Sequence, residues 1–544
     1  MKTLYHHGNI ITVNETQPSA DALLVKDGKI AAVGSYDTLK KEADESTTLV
    51  DLNGHTMLPG FIDGHGHIGN PMVALPKAYP PPNGTIDSKE NFLKELKRLY
   101  DEHVLLKSGW LVIQGYDNAF FEKEAHPLRS DLDAVVPNLP VLALHASGHV
   151  AVVNSKALET VGWTKDSPNP EGGVLRHDPF TGELNGLIEE KAIHIVGLGY
   201  ALAGYTIEEQ ADFFVESQKF YASYGITTAQ EGGSIRDTIH MLEYCQKNNK
   251  LIIDLVAYPV MEYIGDMIPD DSSKQTYRNH FKIGGAKVIA DGSPQGKTAW
   301  LTKPYYKKPD GREDGYLGYP IYSDEQMDHF CGEALKHNWQ LLVHCNGDAV
   351  GDQLLRSYQK AKQDSGNNRD LRPVMIHAQT VREDQLDLMK QLGMMPSFFH
   401  DHVFYWGDFH LDSVLGPERG KRISPLQSAV KRNMPFTLHN DTPVTPPNTI
   451  FEIHNAVNRT TRAGREIGKE YAVDVMEAIR AVTIYGAYQY FDEAIKGSLE
   501  VGKLADLVIL DQNPLTVDPK LIKNIQVLET VKEGQTIYKK SSDH

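Results

Sequence analysis

Short apolar runs alternate with amphipathic stretches through the middle of the chain. Eight runs have the length and apolar content of buried strands, and they cover residues 57–63, 225–231, 252–258, 285–291, 340–345, 373–378, 394–399 and 435–440. Segments with helical spacing lie between them, such as IRDTIHMLEYCQKNN and REDQLDLMKQLG. Eight buried strands that alternate with helices predict an α/β fold, a (β/α)8 TIM barrel.

The two ends of the chain have a different pattern, in which apolar and polar residues alternate between turn signals. Near the start, LYHHGNIITVNETQPSADALLVKDGKIAAVG is interrupted at Asp27-Gly28, and near the end IQVLETVKEGQTIYKK is interrupted at Glu533-Gly534. Neither end is long enough to form a stable sheet alone. We therefore predict one composite β-domain from residues 1–56 and 497–544, with the barrel at 57–496.

A long interval separates the first two predicted barrel strands. It has about 160 residues, too many for a loop without structure of its own. It contains two further strand candidates, WLVIQGYD and LPVLALHASGH, and loop-rich text such as DSPNPEGGVLRHDPFTGELNG. The pattern predicts an α+β insertion over residues 70–215.

The composition narrows the partners and the compartment. The net charge is −17, which argues against nucleic acid or an anionic membrane as partner. Only three cysteines are present, and they form no CxxC pair, so a disulfide framework or a cysteine-based zinc site is not expected. The start of the chain lacks the apolar core of a signal peptide, and no window has the roughly 18 apolar residues of a membrane span. We expect a soluble cytoplasmic protein.

Ionisable residues recur where the predicted strands end, which is where barrel enzymes hold their chemistry. His65 and His67 follow the first strand in FIDGHGH. Since residues i and i+2 of a strand point the same way, both imidazoles can hold one ion, and imidazole and carboxylate ligands suit zinc and related divalent metals. The other residues of this set are Lys287, His344, His377 and Asp441.

Each of these residues also has an interpretation without function. An HxH pair is a weak motif alone, a histidine at a strand end is more often a hydrogen-bonded core residue, and Asp441 could cap a turn. Lys287 is harder to explain in that way, because a lysine inside an apolar strand is costly unless it is paired, neutralised or modified. Six such residues on one face of a barrel favour a metal site.

The chain resembles the amidohydrolase superfamily, nearly end to end, and is most similar to the branch that contains N-substituted formamide deformylases and YtcJ-like proteins. The stretches that carry the resemblance are LPGFIDGHGH, HASGHVAVVNSKAL, GITTAQEGG, KVIADGS, VHCNGDAV, IHAQTV, HNDTPV and GSLEVGKLADLVILDQNP. The resemblance implies that the terminal β-domain is a β-sandwich and that the barrel holds one or two divalent ions, most often zinc. It also implies a homodimer at the level of the family.

The resemblance also assigns roles to the six residues. His65 and His67 would bind the more buried metal, and His344 and His377 the second. Lys287 would carry the N6-carboxylysine that bridges two ions, and Asp441 would be both a ligand and the proton shuttle. A metal-activated hydroxide would then hydrolyse the amide carbon–nitrogen bond of a small N-acyl or N-formyl compound, while Asp441 returns the proton to the leaving amine.

Two other functions stay open. The first is a deaminase of the same superfamily that acts on a ring amine, although HCNGD follows the fifth strand where such enzymes have HxxE. The second is a non-catalytic binding or regulatory protein that has kept the barrel.

Several further residues are candidates for contact with the substrate. His149 and Asn154 lie in a stretch of the insertion that carries the resemblance, and aromatic residues after the seventh strand would suit an apolar substituent. All of them could instead serve packing. The full set of substrate-binding candidates is His149, Asn154, Gln295, His400, His402, Tyr405 and Trp406.

Overall fold

The computed structural model describes residues 2–81, 83–122, 125–148, 150–309 and 312–541. The chain divides into two compact units. The first consists of Met1–Gly69, Ser217–Asp441 and Pro447–His544, and the second of Asn70–Glu216 and Thr442–Pro446. The predicted site residue His149 lies outside the described residues.

The strands are, in chain order, β1 (Lys2–Ile11), β2 (Ser19–Lys26), β3 (Lys29–Gly34), β4 (Thr47–Asp51), β5 (Thr56–Pro59), β6 (Phe61–Ile62), β7 (Leu111–Tyr116), β8 (Val141–His145), β9 (Val150–Val153), β10 (Gly173–His177), β11 (Leu184–Glu190), β12 (Ile226–Ser234), β13 (Asp254–Pro259), β14 (Phe281–Ile283), β15 (Gly285–Ile289), β16 (Gln340–Cys345), β17 (Val374–His377), β18 (Met395–Phe398), β19 (Thr437–Leu438), β20 (Leu507–Leu510), β21 (Val527–Lys532) and β22 (Gln535–Lys539).

The helices are α1 (Tyr36–Leu39), α2 (Lys89–Asp101), α3 (Arg129–Val135), α4 (Ser155–Val161), α5 (Lys191–Val196), α6 (Ile207–Ala222), α7 (Arg236–Lys247), α8 (Met261–Ile264), α9 (Asp324–Lys336), α10 (Asp348–Ser365), α11 (Glu383–Leu392), α12 (His402–Tyr405), α13 (Gly407–Phe409), α14 (Pro417–Gly420), α15 (Leu426–Val430), α16 (Thr449–Asn458), α17 (Val475–Ala481) and α18 (Ile484–Gln489). None of the described helices is long and apolar enough to cross a membrane.

Strands from both ends of the chain pair in one sheet of the first unit. The order is β22-β21-β20-β5-β1-β2-β3, and β4 pairs in parallel with β1. The two ends join where β20 runs antiparallel to β5, with Leu507 opposite Pro59. Buried apolar residues from both ends share one cluster, which includes Tyr5, Leu23, Met57, Leu507 and Val531. Within the described residues these strands form a single sheet, and the pairing does not separate it into the two layers of the predicted sandwich.

The predicted barrel strands are found in two parallel sheets of the first unit, ordered β14-β13-β12-β6 and β15-β16-β17-β18-β19. Only Gly284 separates β14 from β15, and a parallel bridge from Val260 to Lys287 connects the end of β13 to β15. Among the described residues no strand ladder joins β19 to β6, so closure of the predicted barrel is not observed. Gly64 nevertheless lies against β19, because a Cβ at this position would come within 2.7 Å of the Leu438 carbonyl oxygen.

Apolar side chains fill the space along these strands. Val256, Tyr258, Leu342, Val374 and Ile376 belong to one buried cluster. Alternate side chains along each strand point to the same side. On that side the apolar cluster ends at the carboxyl ends of the strands, where polar residues replace apolar ones. The helices between strands have ordinary start and stop signals. At the start of α9, for example, Ser323 and Gln326 form a capping box.

A buried ion-pair network connects a barrel strand to the terminal sheet within the first unit. Asp254, at the start of β13, accepts hydrogen bonds from Lys496 and from Lys532, the latter at 2.8 Å. Lys532 also donates to Asp506, and all four side chains are almost fully buried. Since removing one partner of a buried pair leaves an uncompensated charge, this network makes the two sheets depend on each other.

The second unit has its own sheet, in the order β10-β11-β9-β8-β7. Both strands expected in the insertion are present as β7 and β8. Apolar residues of β7 and β8 alternate between two buried clusters. Val112 and Leu142 belong to one cluster, and Leu111 and Val141 belong to the other. The sheet is therefore buried on both faces, which explains the continuous apolar runs in the sequence.

Candidate metal centre

The six residues expected to form a site come together at the carboxyl ends of strands in the first unit. His65 and His67 follow β6, Lys287 lies in β15, His344 lies in β16, His377 ends β17, and Asp441 follows β19. These six side chains belong to or follow five different strands, so their meeting depends on the parallel packing of the strands.

Three of the donor atoms converge on one point. Asp441 Oδ1 lies 3.3 Å from His67 Nε2 and 3.5 Å from His65 Nε2, and Lys287 Nζ lies 3.3 Å from the same His65 nitrogen. Ligands about 2.0–2.1 Å from a tetrahedral zinc ion are separated from each other by about 3.3 Å. The observed separations therefore match the spacing that such an ion requires.

Unpartnered polar atoms support the same interpretation. His377 Nε2 and Asp441 Oδ1 are buried and make no hydrogen bond with the described residues. His344 Nδ1, 3.3 Å from Asp291 Oδ1, also lacks hydrogen-bond geometry. Buried polar groups are almost always satisfied, and three exceptions in one place point to a ligand that accepts their lone pairs. The imidazole and carboxylate donors present here fit a divalent metal.

The strands at this site end in strained backbone. His377 has a φ of +74° and Asp441 has a φ of +52°, in the left-handed region that residues other than glycine seldom adopt. Each such residue costs about 1–3 kcal/mol and persists only where the surroundings require it. Both residues are candidate ligands, and the strain is consistent with a functional demand on their direction.

Gln230 determines which nitrogen of His65 faces the site. The amide nitrogen of Gln230 donates to the Gly64 carbonyl at 3.1 Å and to the Tyr490 hydroxyl at 2.9 Å. Its oxygen therefore faces His65 Nδ1, at 2.5 Å, and accepts a hydrogen bond from the Nδ1–H. This leaves the lone pair of His65 on Nε2, the nitrogen that faces Asp441 and Lys287.

His67 lies between two carboxylates. Its Nε2 faces Asp441, and its Nδ1 lies 3.8 Å from Glu231 Oε1, while the other oxygen of Glu231 accepts from the Gly69 amide at 2.6 Å. Burial lowers the pKa of His67, but the adjacent carboxylates of Asp441 and Glu231 outweigh burial and raise this pKa to about 9. Burial would raise the pKa of Asp441, but the adjacent His67 imidazole holds that pKa below the usual value. Asp441 is thus ionised at neutral pH.

Lys287 is 2% exposed, and its ammonium forms no ion pair with a described carboxylate. Burial lowers its pKa from 10.5 to about 7, although Asp441 and Glu231 act in the opposite direction. A large fraction of this lysine is therefore neutral at neutral pH.

A further histidine contacts the site and was missed by sequence reasoning. His439 Nε2 lies 3.1 Å from His377 Nδ1, and His439 Nδ1 lies 2.8 Å from the Ser397 hydroxyl. When His377 Nε2 carries the lone pair for a metal, its Nδ1–H donates to His439, which in turn donates from Nδ1 to Ser397. His439 stands two residues before Asp441 in HND, and this i, i+2 spacing was the one available signal.

Asn154, in the second unit, has a structural role. Its amide nitrogen donates to the carbonyls of Val136 and Leu139, and its oxygen accepts from the amides of Val141 and Ala157. These bonds use both donor hydrogens and both acceptor positions and form the N-cap of α4. No hydrogen-bonding capacity remains for a substrate, so we assign Asn154 to the support of its own unit.

The candidates that follow β18 are packed into the first unit. His400 is fully buried and places Nε2 3.1 Å from the Asn455 carbonyl, and His402 Nδ1 lies 3.1 Å from His410 Nε2. Tyr405 and Trp406 are 6% and 7% exposed. These side chains are therefore part of the core of the first unit and do not form an open surface. Gln295 differs from them, because it is half-buried and its Oε1 has no hydrogen-bond partner among the described residues.

A mixed α/β fold whose parallel strands end in four histidines, a lysine and an aspartate defines a metal-dependent hydrolase. The chain belongs to the amidohydrolase family, whose profile matches residues 48–538. The resemblance inferred from the sequence motifs and the assignment as a hydrolase are both confirmed.

Similar proteins match along nearly the whole chain. YtcJ of Bacillus subtilis (strain 168) is 26% identical over 99% of this chain and 100% of its own. The N-substituted formamide deformylase of Arthrobacter pascens is 25% identical over 98% of both chains. The crystal structure of an uncharacterized metal-dependent hydrolase from Pyrococcus horikoshii OT3 has a TM-score of 0.73 at 23% identity and covers 95% of this chain and 99% of its own. The last similarity concerns the fold alone.

Proposed function

We propose that this protein hydrolyses the amide carbon–nitrogen bond of a small N-acyl compound, of the N-formyl type, with zinc at the site described above. The observation that carries the proposal is the convergence of His65 Nε2, His67 Nε2 and Asp441 Oδ1 at the spacing of metal ligands. The formamide deformylase of Arthrobacter pascens, similar over the full length, supports the choice of the N-formyl group.

A bound divalent ion supplies Lewis acidity, which activates a water molecule and polarises a carbonyl group. His65, His67 and Asp441 would hold one ion, and His344 and His377 would hold a second ion if two are bound. Asp441 is ionised and its side chain is 14% exposed, so its carboxylate can accept the proton of the attacking water. Asp441 then transfers this proton to the nitrogen of the leaving amine.

We propose that Lys287 is carboxylated, and its carbamate would then serve as an anionic oxygen ligand for the bound zinc. In this step the neutral Nζ adds to the carbon of carbon dioxide and releases a proton to solvent. The lowered pKa of Lys287 supports the step, since only the unprotonated amine reacts. The carbamate would also replace an unpaired buried ammonium with an anion that a metal can satisfy.

The substrate's substituent is proposed to be apolar. Ile289 lies two residues after Lys287 in β15, so both side chains point to the same side, and its register partner is His344. Ile289 is 37% exposed, while the other β15 residues are buried. An exposed apolar side chain next to candidate ligands suits a pocket for an apolar group.

We further propose that the two parallel sheets are parts of one closed eight-stranded barrel, with β14 and β15 as one strand. The close approach of Gly64 to β19 supports this closure. In this proposal residues 1–56 and 497–544 form the β-sandwich and residues 70–215 the insertion.

The test is hydrolysis by zinc-loaded protein of N-formyl, N-acetyl and carbamoyl amines that share one apolar amine. We expect release of the amine to be fastest from the formamide and to fall by about 10²–10⁴ in kcat for Asp441→Asn, the range of general acid–base catalysis. The matched control is Asp384→Asn, an exposed carboxylate in the first turn of α11. Ammonia release from a ring amine, with no amide cleavage, would instead favour the deaminase. Folded protein that binds no metal and cleaves no amide would favour a non-catalytic role.

A further inference from the structure

A second group of metal-ligating side chains lies in the terminal sheet. β1 and β4 are parallel neighbours, and His6 is the register partner of Asp51. Side chains of register partners in adjacent parallel strands point to the same face of a sheet. His6 and Asp51 therefore lie side by side, on the face where His6 stacks on Tyr36 with ring centroids 4.5 Å apart.

His7 joins them because the strand is irregular at this point. Consecutive residues of a regular strand point to opposite faces. Here His7 has a φ of +53°, and the pairing of β1 with β2 shifts register between His6 and Ile10. The irregularity turns the two imidazoles toward each other, with ring centroids 4.3 Å apart. Two histidines that a regular strand would separate thus reach the same carboxylate.

The donor atoms are close enough to share an ion. His7 Nδ1 lies 3.1 Å from Asp51 Oδ2, and one ligand atom from each of the three residues lies within 4.8 Å of the others. The second oxygen of Asp51 accepts from the Asn53 amide at 2.8 Å, which orients the carboxylate. His6 is 7% exposed, and its buried Nδ1 has no hydrogen-bond partner among the described residues.

We propose that His6, His7 and Asp51 form a second divalent-metal site, separate from the catalytic centre, for zinc or a related first-row ion. Two imidazoles and one carboxylate are ligands that zinc prefers, and water would supply the fourth position. The ion would connect the irregular part of β1 to the end of β4.

The charge of Lys40 allows a further test of the proposal, because it predicts the direction in which a substitution changes zinc affinity. The Lys40 ammonium lies 5.3 Å from the centroid of the Tyr36 ring on which His6 stacks. A positive charge at that place opposes a bound cation as it opposes a protonated imidazole. Lys40→Met is therefore expected to tighten zinc binding at this site, whereas a structural cluster without a metal would show no such response.

The experiment counts zinc. Wild-type protein, His7→Ala and Asp51→Asn are stripped with chelator, equilibrated with buffered free zinc and analysed for zinc per chain by mass spectrometry. We expect each variant to hold one zinc ion fewer than wild type, whatever number the catalytic centre holds. Circular dichroism of each protein establishes that the fold is retained.

The matched control is His337→Ala. His337 is also a partly exposed histidine, with Nδ1 2.8 Å from Asp270 Oδ1, but it lies outside the three-residue group. It should keep the wild-type zinc count. Equal counts in wild type, His7→Ala and Asp51→Asn would overturn the proposal, as would an equal loss in His337→Ala.

Discussion

His439 offers a direct test of how the protein prepares its metal ligands. The replacement His439→Phe keeps a buried ring of similar size but removes the nitrogen that faces His377 Nδ1 at 3.1 Å. The Ser397 hydroxyl loses a partner as well. His377 can then bind a metal through Nε2 only if its Nδ1–H stays buried without an acceptor.

The size of the effect follows from that unpaired donor. A buried polar group left unsatisfied costs about 1–3 kcal/mol. Without a metal, His377 can move its proton to the other nitrogen, so most of the cost falls on the metal-bound state. At about 1.4 kcal/mol for each factor of ten, zinc affinity should fall by about 5- to 140-fold. Replacements behind metal-bound histidines in general weaken binding by about 10- to 100-fold.

The assay is competition for zinc between the protein and a chromogenic chelator, with the melting temperature measured in parallel. His410→Phe is the matched control, because His410 is also fully buried and pairs with a histidine, His402, that is not a candidate ligand. We expect a loss of thermal stability in both variants but weaker zinc binding only in His439→Phe. Folded His439→Phe protein with wild-type zinc affinity would refute the reasoning.

Three other changes test separate parts of the structure. Gln230→Leu removes the acceptor for His65 Nδ1 and should weaken zinc binding by about 10- to 100-fold in the same competition assay. Ile289→Lys should raise KM for formamides with apolar substituents and leave zinc content unchanged; an unchanged KM would argue against an apolar pocket at β15. Asp254→Asn should lower the free energy of unfolding by about 3–5 kcal/mol in urea, since buried Lys496 loses its carboxylate partner and buried Lys532 keeps only its pair with Asp506 among buried carboxylates.

The Asp254 network also predicts a dependence on pH. Burial would raise the pKa of Asp254, but the two lysines hold it well below its usual value. A carboxylate with a depressed pKa contributes stability above its unfolded pKa, about 3.9, and loses that contribution as the pH falls toward the folded pKa. Wild type should therefore lose its advantage over Asp254→Asn below about pH 4. An advantage that stays constant down to pH 2 would contradict this assignment.

The pattern of apolar and polar residues along the chain was enough to predict where the strands of the two parallel sheets lie. Each of the eight predicted barrel runs overlaps a strand of the structure, because continuous apolar runs between turn signals are typical of strands buried on both faces. The first run was too long as a single strand. It covers most of β5, which belongs to the terminal sheet, and then the two residues of β6. The change of sheet at Gly60 depends on partners distant in the sequence.

The chemistry of the candidate ligands could be inferred from residue type and position, since a lysine in an apolar strand and an HxH pair at a strand end are both local features. What orients those ligands could not be inferred. Gln230 lies 165 residues from His65, and Ser397 lies 42 residues from His439. Nothing in the sequence relates these pairs, because hydrogen bonds between strands form only after the sheets have assembled.

The tertiary structure also decided between function and packing where the sequence left both open. Asn154 stands in a motif that suggested contact with substrate, yet four backbone groups of its own unit use all its hydrogen-bonding capacity. A regular strand would place His6 and His7 on opposite faces, yet a left-handed φ at His7 brings their rings together. The sequence by itself determined which side chains could bind a metal, and only the packing of strands and the local backbone decided which of their atoms remain free to do so.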